Sequence, residues 1–249
     1  MSDSNTPDTF LRIAVVVLIG MLVMVMVALA AVIMNSPLQG IVLRASNALL
    51  GVGSVQAFWY VTRAAGLVAY LLLWLSTAWG LAVSSKIFDA LFHRAFTYDM
   101  HQFISLLAIG FTILHVVVLV ADQYLPFSLA AILIPFVAPY RPVWVGIGVI
   151  GLYLTLLVSV TFYIRRWIGQ KTFRVIHLAS FAAYISVTLH GLQAGTDSPL
   201  WSVQLMYAGT ALTIVFLTAY WLFMGLANKL APRGASTSVE PGVKRSAVG

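Results

Sequence analysis

The stretch that decides the fold is His101-Gln-Phe-Ile-Ser-Leu-Leu-Ala-Ile-Gly-Phe-Thr-Ile-Leu-His115, an apolar run with a histidine at each end. A second apolar run carries His177 and His190, so four of the five histidines in the chain lie in these two stretches. An ionisable side chain inside a membrane span is costly and by default marks a function. Neutral imidazole is also the commonest metal ligand. Two histidines on each of two helices therefore predict two bis-histidine sites, one above the other, as a transmembrane di-haem b protein requires.

Helix geometry tests the spacing within each run. The fourteen residues from His101 to His115 rise by about 21 Å and rotate by about 1,400°, about 40° short of four full turns, so both residues lie on nearly one face. The thirteen residues from His177 to His190 rise by about 20 Å but leave an angular offset of about 140°. If His177 and His190 both bind cofactors that lie one above the other, we expect the second helix to be locally overwound or tilted, or the histidine side chains to extend around the helix. The spacing alone does not separate these alternatives.

Composition places the chain among membrane proteins. Of its 249 residues 61% are hydrophobic and 8% charged, with a mean hydropathy of +0.97. Apolar runs of about 20 residues recur along it, which predicts a polytopic α-helical protein in contact with membrane lipid. The absence of cysteine excludes disulfides, thiolate-bound iron–sulfur clusters and thiol catalysis. The net charge of +7 comes from residues at span ends, so it indicates topology and no nucleic-acid partner.

The predicted fold is an all-α bundle of six transmembrane helices, with a short interfacial or re-entrant segment between spans three and four. The spans cover about residues 11–34, 58–83, 100–121, 143–164, 172–192 and 200–226. Residues 1–10 are predicted to be a cytoplasmic N-terminus, residues 11–228 the transmembrane domain, and residues 229–249 a disordered cytoplasmic tail. A retained first helix is the preferred interpretation, and removal after the cleavage-like Ala28-Leu-Ala30 is the alternative. Gly146, Gly148 and Gly151 in span four predict close approach of a neighbouring helix or a flat cofactor.

The basic residues predict the orientation. With six spans, eleven of the fourteen lysines and arginines fall on the side of the termini. The three on the opposite side are Arg44, Arg63 and Arg141. The positive-inside rule then places both termini in the cytoplasm. Spans three and five run in the same direction, so His101 is level with His177 toward the cytoplasm, and His115 is level with His190 toward the outside. We call these the inner pair and the outer pair.

These residues resemble the ferric reductase-like transmembrane domain, a family that includes NADPH oxidases, ferric reductases and the haem-binding membrane subunit of periplasmic methionine sulfoxide reductase. The resemblance covers about residues 58–226. It rests on the histidines fourteen apart in span three and thirteen apart in span five, and on Phe173-Arg-Val-Ile-His177-Leu-Ala-Ser-Phe181 followed by His190-Gly191. It implies that the inner and outer pairs ligate two b haems, and that Arg63 matches an arginine beside the outer haem.

The chain also departs from that family. The oxidases carry a further histidine where this sequence has Leu119, which puts superoxide production in doubt. The sequence stops at Gly249, and no glycine-rich dinucleotide fingerprint follows a strand, so we expect the flavin and nicotinamide domain of the larger enzymes to be supplied by a partner. The sulfoxide reductase subunit is similar in size, but His101 in addition to His115 favours two haems.

For three other residues, a role at a cofactor has to be weighed against a role at the membrane surface. Arg63 can pair with a haem propionate or extend its charge to the outer interface. Arg174, three residues before His177, can meet an inner propionate, although a positive-inside charge is the stronger interpretation. His93 lies in a polar connection and is interpreted as a surface histidine.

The predicted function is electron transfer across the membrane through two b haems. The donor on the cytoplasmic side would be a flavoprotein or a quinol, and the outer acceptor Fe(III), oxygen, a quinone or a redox protein. The chain would be an oxidoreductase component of the cell membrane. Two alternatives stay open: a haem-binding subunit of a larger redox or photosynthetic complex, and a non-redox transporter or assembly subunit. The last lacks an acidic residue deep in any span to partner a proton relay.

Overall fold

The computed structural model describes residues 57–89, 91–121 and 127–230, together with Arg44. The predicted first span, its cleavage site, nearly all of the loop that follows and the tail from residue 231 lie outside the described residues. The described part is all-helical, as predicted. Its helices are α1 (Ala57–Ser84), α2 (Arg94–Ala121), α3 (Leu129–Leu133), α4 (Pro142–Ile168), α5 (Gln170–His177), α6 (Ala179–Ala194) and α7 (Trp201–Leu230).

Five stretches in the described residues are long and apolar enough to cross a membrane. They are Phe58–Ser84, Arg94–Val120, Pro142–Ile168, Gln170–Ala194 and Trp201–Ala227. They agree with predicted spans two to six to within a few residues at most ends. Large apolar side chains on the outside of the bundle are exposed, for example Leu212 at 69% and Phe216 at 68%. A helix that is apolar all round is typical of a membrane span.

The helices pack as neighbours in sequence and across the bundle. α1 packs most extensively against α2, α4 against α6, and α7 against α1. Three buried tyrosines tie α1, α6 and α7 together. The Tyr70 hydroxyl lies 2.5 Å from Thr210 Oγ1 and 3.2 Å from the Tyr184 hydroxyl, and the rings of Tyr70 and Tyr207 are 4.5 Å apart. Polar groups at this depth need such partners, since lipid offers none.

The fifth predicted span is interrupted immediately after His177. Leu178 separates α5 from α6, and its backbone N–H reaches the carbonyl oxygens of both Arg174 and Val175. The N–H of Phe181 in turn donates to the Leu178 carbonyl at 3.1 Å. Bonds that span three residues tighten a helix to about 3.0 residues per turn, or about 120° per residue. Local overwinding, one of the predicted alternatives, therefore removes part of the 140° offset between His177 and His190.

In the proline-rich stretch after α2 the structure describes residues 127–141, whose helix α3 has five residues and is too short to cross a membrane. Ser128 caps the short helix α3 by accepting a hydrogen bond from the Ala131 N–H at 3.1 Å. Ala131 and Ile132 are buried against α4 and the end of α2. Tyr140 donates a hydrogen bond to the Ala194 carbonyl at 3.3 Å, which joins this segment to the end of α6. The segment consequently closes one end of the bundle, beside the outer pair.

Candidate metal centres

The structure brings the four histidines together in the two predicted pairs. His101 and His115 lie on α2, His177 is the last residue of α5, and His190 lies on α6. The ring centroids are 6.1 Å apart in the inner pair, with the ring planes at 70°. In the outer pair they are 6.5 Å apart, with the planes at 76°.

These separations suit one metal atom between two rings. A bond from a transition metal to an imidazole nitrogen is about 2.0 Å long, and the ring centroid lies about 1.1 Å behind that nitrogen. Two imidazoles on opposite sides of one metal therefore place their centroids about 6 Å apart. Both pairs have about this spacing, so their ring separations are compatible with a shared metal.

The outer pair is held by backbone carbonyl groups. Nδ1 of His115 lies 2.8 Å from the Thr62 carbonyl oxygen, and Nδ1 of His190 lies 3.0 Å from that of Trp144. A carbonyl oxygen only accepts, so each Nδ1 carries the proton and donates it. Each Nε2 is then the nitrogen with a free lone pair. This is the arrangement that fixes the tautomer and ring direction of metal-ligating histidines.

The outer pair opens into a cavity of about 530 Å³. Such a volume lies within the range of about 300–1,000 Å³ that is usual for small-molecule and cofactor sites. The walls are mostly apolar and come from α1, α2, α4, α6, α7 and the segment that contains α3. Leu119 is part of this lining.

Arg63 and Asp197 line the same outer cavity and form an ion pair. Arg63 Nε donates to Asp197 Oδ2 at 2.7 Å, and its guanidinium carbon lies 4.0 Å from the centroid of the Trp59 ring. Arg63 thus lies beside the outer pair, and its role toward a haem stays a prediction. The sequence contains no indication that Asp197 is its partner, because the two residues are 134 positions apart and have no local pattern in common.

The inner pair has different surroundings. Nδ1 of His101 and Nδ1 of His177 are buried and have no hydrogen-bond partner in the part of the chain that the structure describes. The cavity beside them measures about 130 Å³, a quarter of the outer volume. Short hydroxyl side chains contribute much of its wall: Ser76, Thr77, Ser84, Ser105, Thr155, Ser159 and Ser180. Two of them bridge α1 and α2, since Ser76 Oγ lies 2.6 Å from Ser105 Oγ.

Two ligands per site restrict the kind of metal group. Within the described ranges no three His, Cys, Asp or Glu residues come close enough to hold a metal ion. A zinc-type ion needs three or four protein ligands, whereas a haem brings four nitrogens of its own and takes two axial ligands from the protein. The outer site fits a haem in ligand spacing and in volume. The inner site fits in ligand spacing, but its cavity is too small for a macrocycle unless neighbouring side chains move.

Two further residues singled out in the sequence lie away from the cavities. Arg174 on α5 is exposed and is not part of the described lining of the inner cavity, so its role toward a propionate stays a prediction. His93 is exposed in the connection between α1 and α2, in agreement with the surface reading.

Comparison with known proteins adds a family. Searches of curated proteins and of solved structures find no match. A family model described as "Domain of unknown function (DUF8596)" matches residues 57–197, which is more than half of the chain and includes both histidine pairs, Arg63 and Asp197. The chain therefore belongs to the DUF8596 family.

Proposed function

We propose that this protein is a b-type cytochrome of the membrane that carries electrons between a donor on the cytoplasmic side and an acceptor on the outer side. One observation carries the proposal. Two pairs of imidazoles, each drawn from two different helices, have the centroid separations of 6.1 and 6.5 Å expected of axial ligands to a shared metal. The resemblance to the ferric reductase-like domain supports the same ligands.

In this proposal the residues of the chain would have the following roles. His101 and His177 would ligate the inner haem, and His115 and His190 the outer one. When bound, each haem supplies an iron atom that gains and loses one electron. The helix carbonyl groups hold the outer rings in the ligating direction, and the apolar walls keep water from the sites. Arg63 is the side chain in the outer cavity that can pair with a carboxylate of the cofactor.

The orientation and partners belong to the same proposal. With the six predicted spans, eleven of fourteen basic residues would lie on the side of the inner pair, which supports a cytoplasmic location for that side. A flavoprotein or quinol would reduce the inner site, and Fe(III), oxygen, a quinone or a redox protein would oxidise the outer one. The chain would hold two one-electron sites in series, so that donor and acceptor exchange electrons without meeting.

The test begins with the purified protein in detergent. We expect two haems per chain and the visible spectrum of low-spin, six-coordinate b haem, changed reversibly by a reductant and an oxidant. A colourless preparation that takes up no added haem would refute the proposal and favour the transporter or assembly alternative.

The assigned ligands are tested by substitution. We expect His115→Ala to lose about one haem per chain, from the outer site, because a single remaining axial ligand binds weakly. His93→Ala is the matched control, since it removes an exposed histidine and should retain both haems. Full haem content in His115→Ala would contradict the assignment.

A further inference from the structure

We propose that Gly66, Gly80 and Gly148 are positioning residues for three of the four histidines. At Gly66 and Gly148 the glycine is the second half of a two-residue seat, formed by a helix carbonyl group and by the glycine four residues later, whereas Gly80 lies against its ring alone. The inference rests on the proposed function, because it concerns how the chain directs its haem ligands. It assigns Gly66 and Gly80, which neither the sequence pattern nor the resemblance singled out, and gives Gly148 a specific partner in His190.

At the outer pair, both rings lie against a glycine of a neighbouring helix. A Cβ atom added to Gly148 would come 2.5 Å from Nδ1 of His190, and one added to Gly66 would come 2.9 Å from Nδ1 of His115. Real Cβ atoms essentially never approach a heavy atom within 3.0 Å. Any side chain at these two positions would therefore push the imidazole away from its present place.

The same two glycines lie one helical turn after the carbonyl groups that accept the Nδ1 protons. Thr62 precedes Gly66 by four residues and Trp144 precedes Gly148 by four. In an α-helix the carbonyl of residue i accepts from the N–H of residue i+4, so each glycine N–H serves the carbonyl that the histidine uses. A carbonyl oxygen has two lone pairs and can accept both bonds. Lacking a Cβ beside that oxygen, the glycine leaves the second lone pair open to the imidazole.

A third glycine lies against a ring at the inner pair. A Cβ on Gly80 would lie 3.1 Å from Cε1 of His101. Here the glycine lacks a carbonyl partner for the ring, because Nδ1 of His101 has no hydrogen-bond partner among the described residues. No described glycine lies against His177. Its ring packs on the Phe173 ring instead, with the two ring centroids 5.2 Å apart.

The register of α1 matches that of α2. Gly66 and Gly80 are fourteen residues apart, as are His101 and His115 on the antiparallel neighbour. Equal numbers of residues give equal rises along two packed helices, about 21 Å in each. α1 therefore places one glycine at the depth of each of the two histidines on α2. A chance packing of small residues would not be expected to give this match.

The experiment is a series of glycine-to-alanine variants of the full chain, compared by haem titration, electron paramagnetic resonance and midpoint potential. We expect Gly148→Ala and Gly66→Ala to weaken haem binding at the outer site by about 10- to 100-fold, the usual cost of disturbing a group that orients a metal ligand. Any haem still bound there should have altered resonance parameters. Gly80→Ala should have a smaller effect, of about threefold, confined to the inner site, since its clash is milder.

The controls are two glycines of other helices of the bundle, α2 and α7. Gly110 and Gly209 have open space where a Cβ would be, so Gly110→Ala and Gly209→Ala should retain both haems with unchanged spectra. In each of these glycine-to-alanine variants, haem binding at the other site shows whether the protein is still folded. A Gly66→Ala protein with unchanged haem affinity and resonance would overturn the inference, as would one that loses both haems equally. Haem absent from the wild type would instead refute the proposed function.

Discussion

The outer and inner pairs consist of the same residue type at nearly the same separation, but the protein surrounds them differently. At the outer pair both Nδ1 atoms donate to helix carbonyl groups, and the cavity measures about 530 Å³. At the inner pair both Nδ1 atoms lack hydrogen-bond partners among the described residues, and the cavity measures about 130 Å³. An equal separation of the rings therefore does not give equal surroundings. If the proposed haems bind, the outer pair is already oriented for one, whereas the inner pair would have to rearrange.

The largest effect that this comparison predicts is a difference in affinity. We expect the outer pair to bind haem at least about tenfold more tightly than the inner pair, because the inner pair must displace side chains and orient free imidazoles. Haem titration of His101→Ala measures the outer site alone, and titration of His115→Ala measures the inner site alone. Equal affinities, or a tighter inner site, would contradict the comparison.

An intermediate effect is expected from the ion pair at the outer cavity. Arg63→Gln removes the cationic partner available to a carboxylate of the cofactor and leaves Asp197 unpaired. We expect outer affinity to fall by about three- to tenfold, with the inner site unchanged. Arg141→Gln is the matched control, since Arg141 is exposed and its side chain donates to the Gln193 carbonyl and lies over the Tyr140 ring, with no described ion pair. An equal loss of outer haem affinity in both variants would indicate a general effect of positive charge on the outer side.

The smallest effect should come from the tyrosine cluster, whose members Tyr70 and Tyr207 line the outer cavity but form no described hydrogen bond with the four histidines. Tyr70→Phe removes the hydroxyl that meets Thr210 and Tyr184. We expect a loss of about 1 kcal/mol in stability, the usual contribution of a hydrogen bond, with both haem affinities nearly unchanged. Thermal unfolding in detergent measures this, with the exposed Tyr98→Phe as control. A loss of haem affinity at only one site would contradict this expectation and show that the cluster supports that site.

Part of the site could be predicted because depth in a membrane follows from position in a helix. His101 and His177 begin co-directional spans, and His115 and His190 lie far along them, so the level pairs follow from counting residues and topology. Gly148 was expected to permit close approach, and it does so against His190. The roles of Gly66 and Gly80 were not predicted, because a glycine in an apolar helix has no pattern of its own until its neighbour is known.

The sequence by itself determined the class of protein, the number and position of the described spans, and the pairing of the histidines. Apolar length and helical rise are local quantities, so they can be read from the order of residues. Only the tertiary structure decided the break after His177, the partnership of Arg63 with Asp197, and the unequal cavities. Each of these depends on which side chains from distant parts of the chain come to share one space, and that is settled when the helices pack.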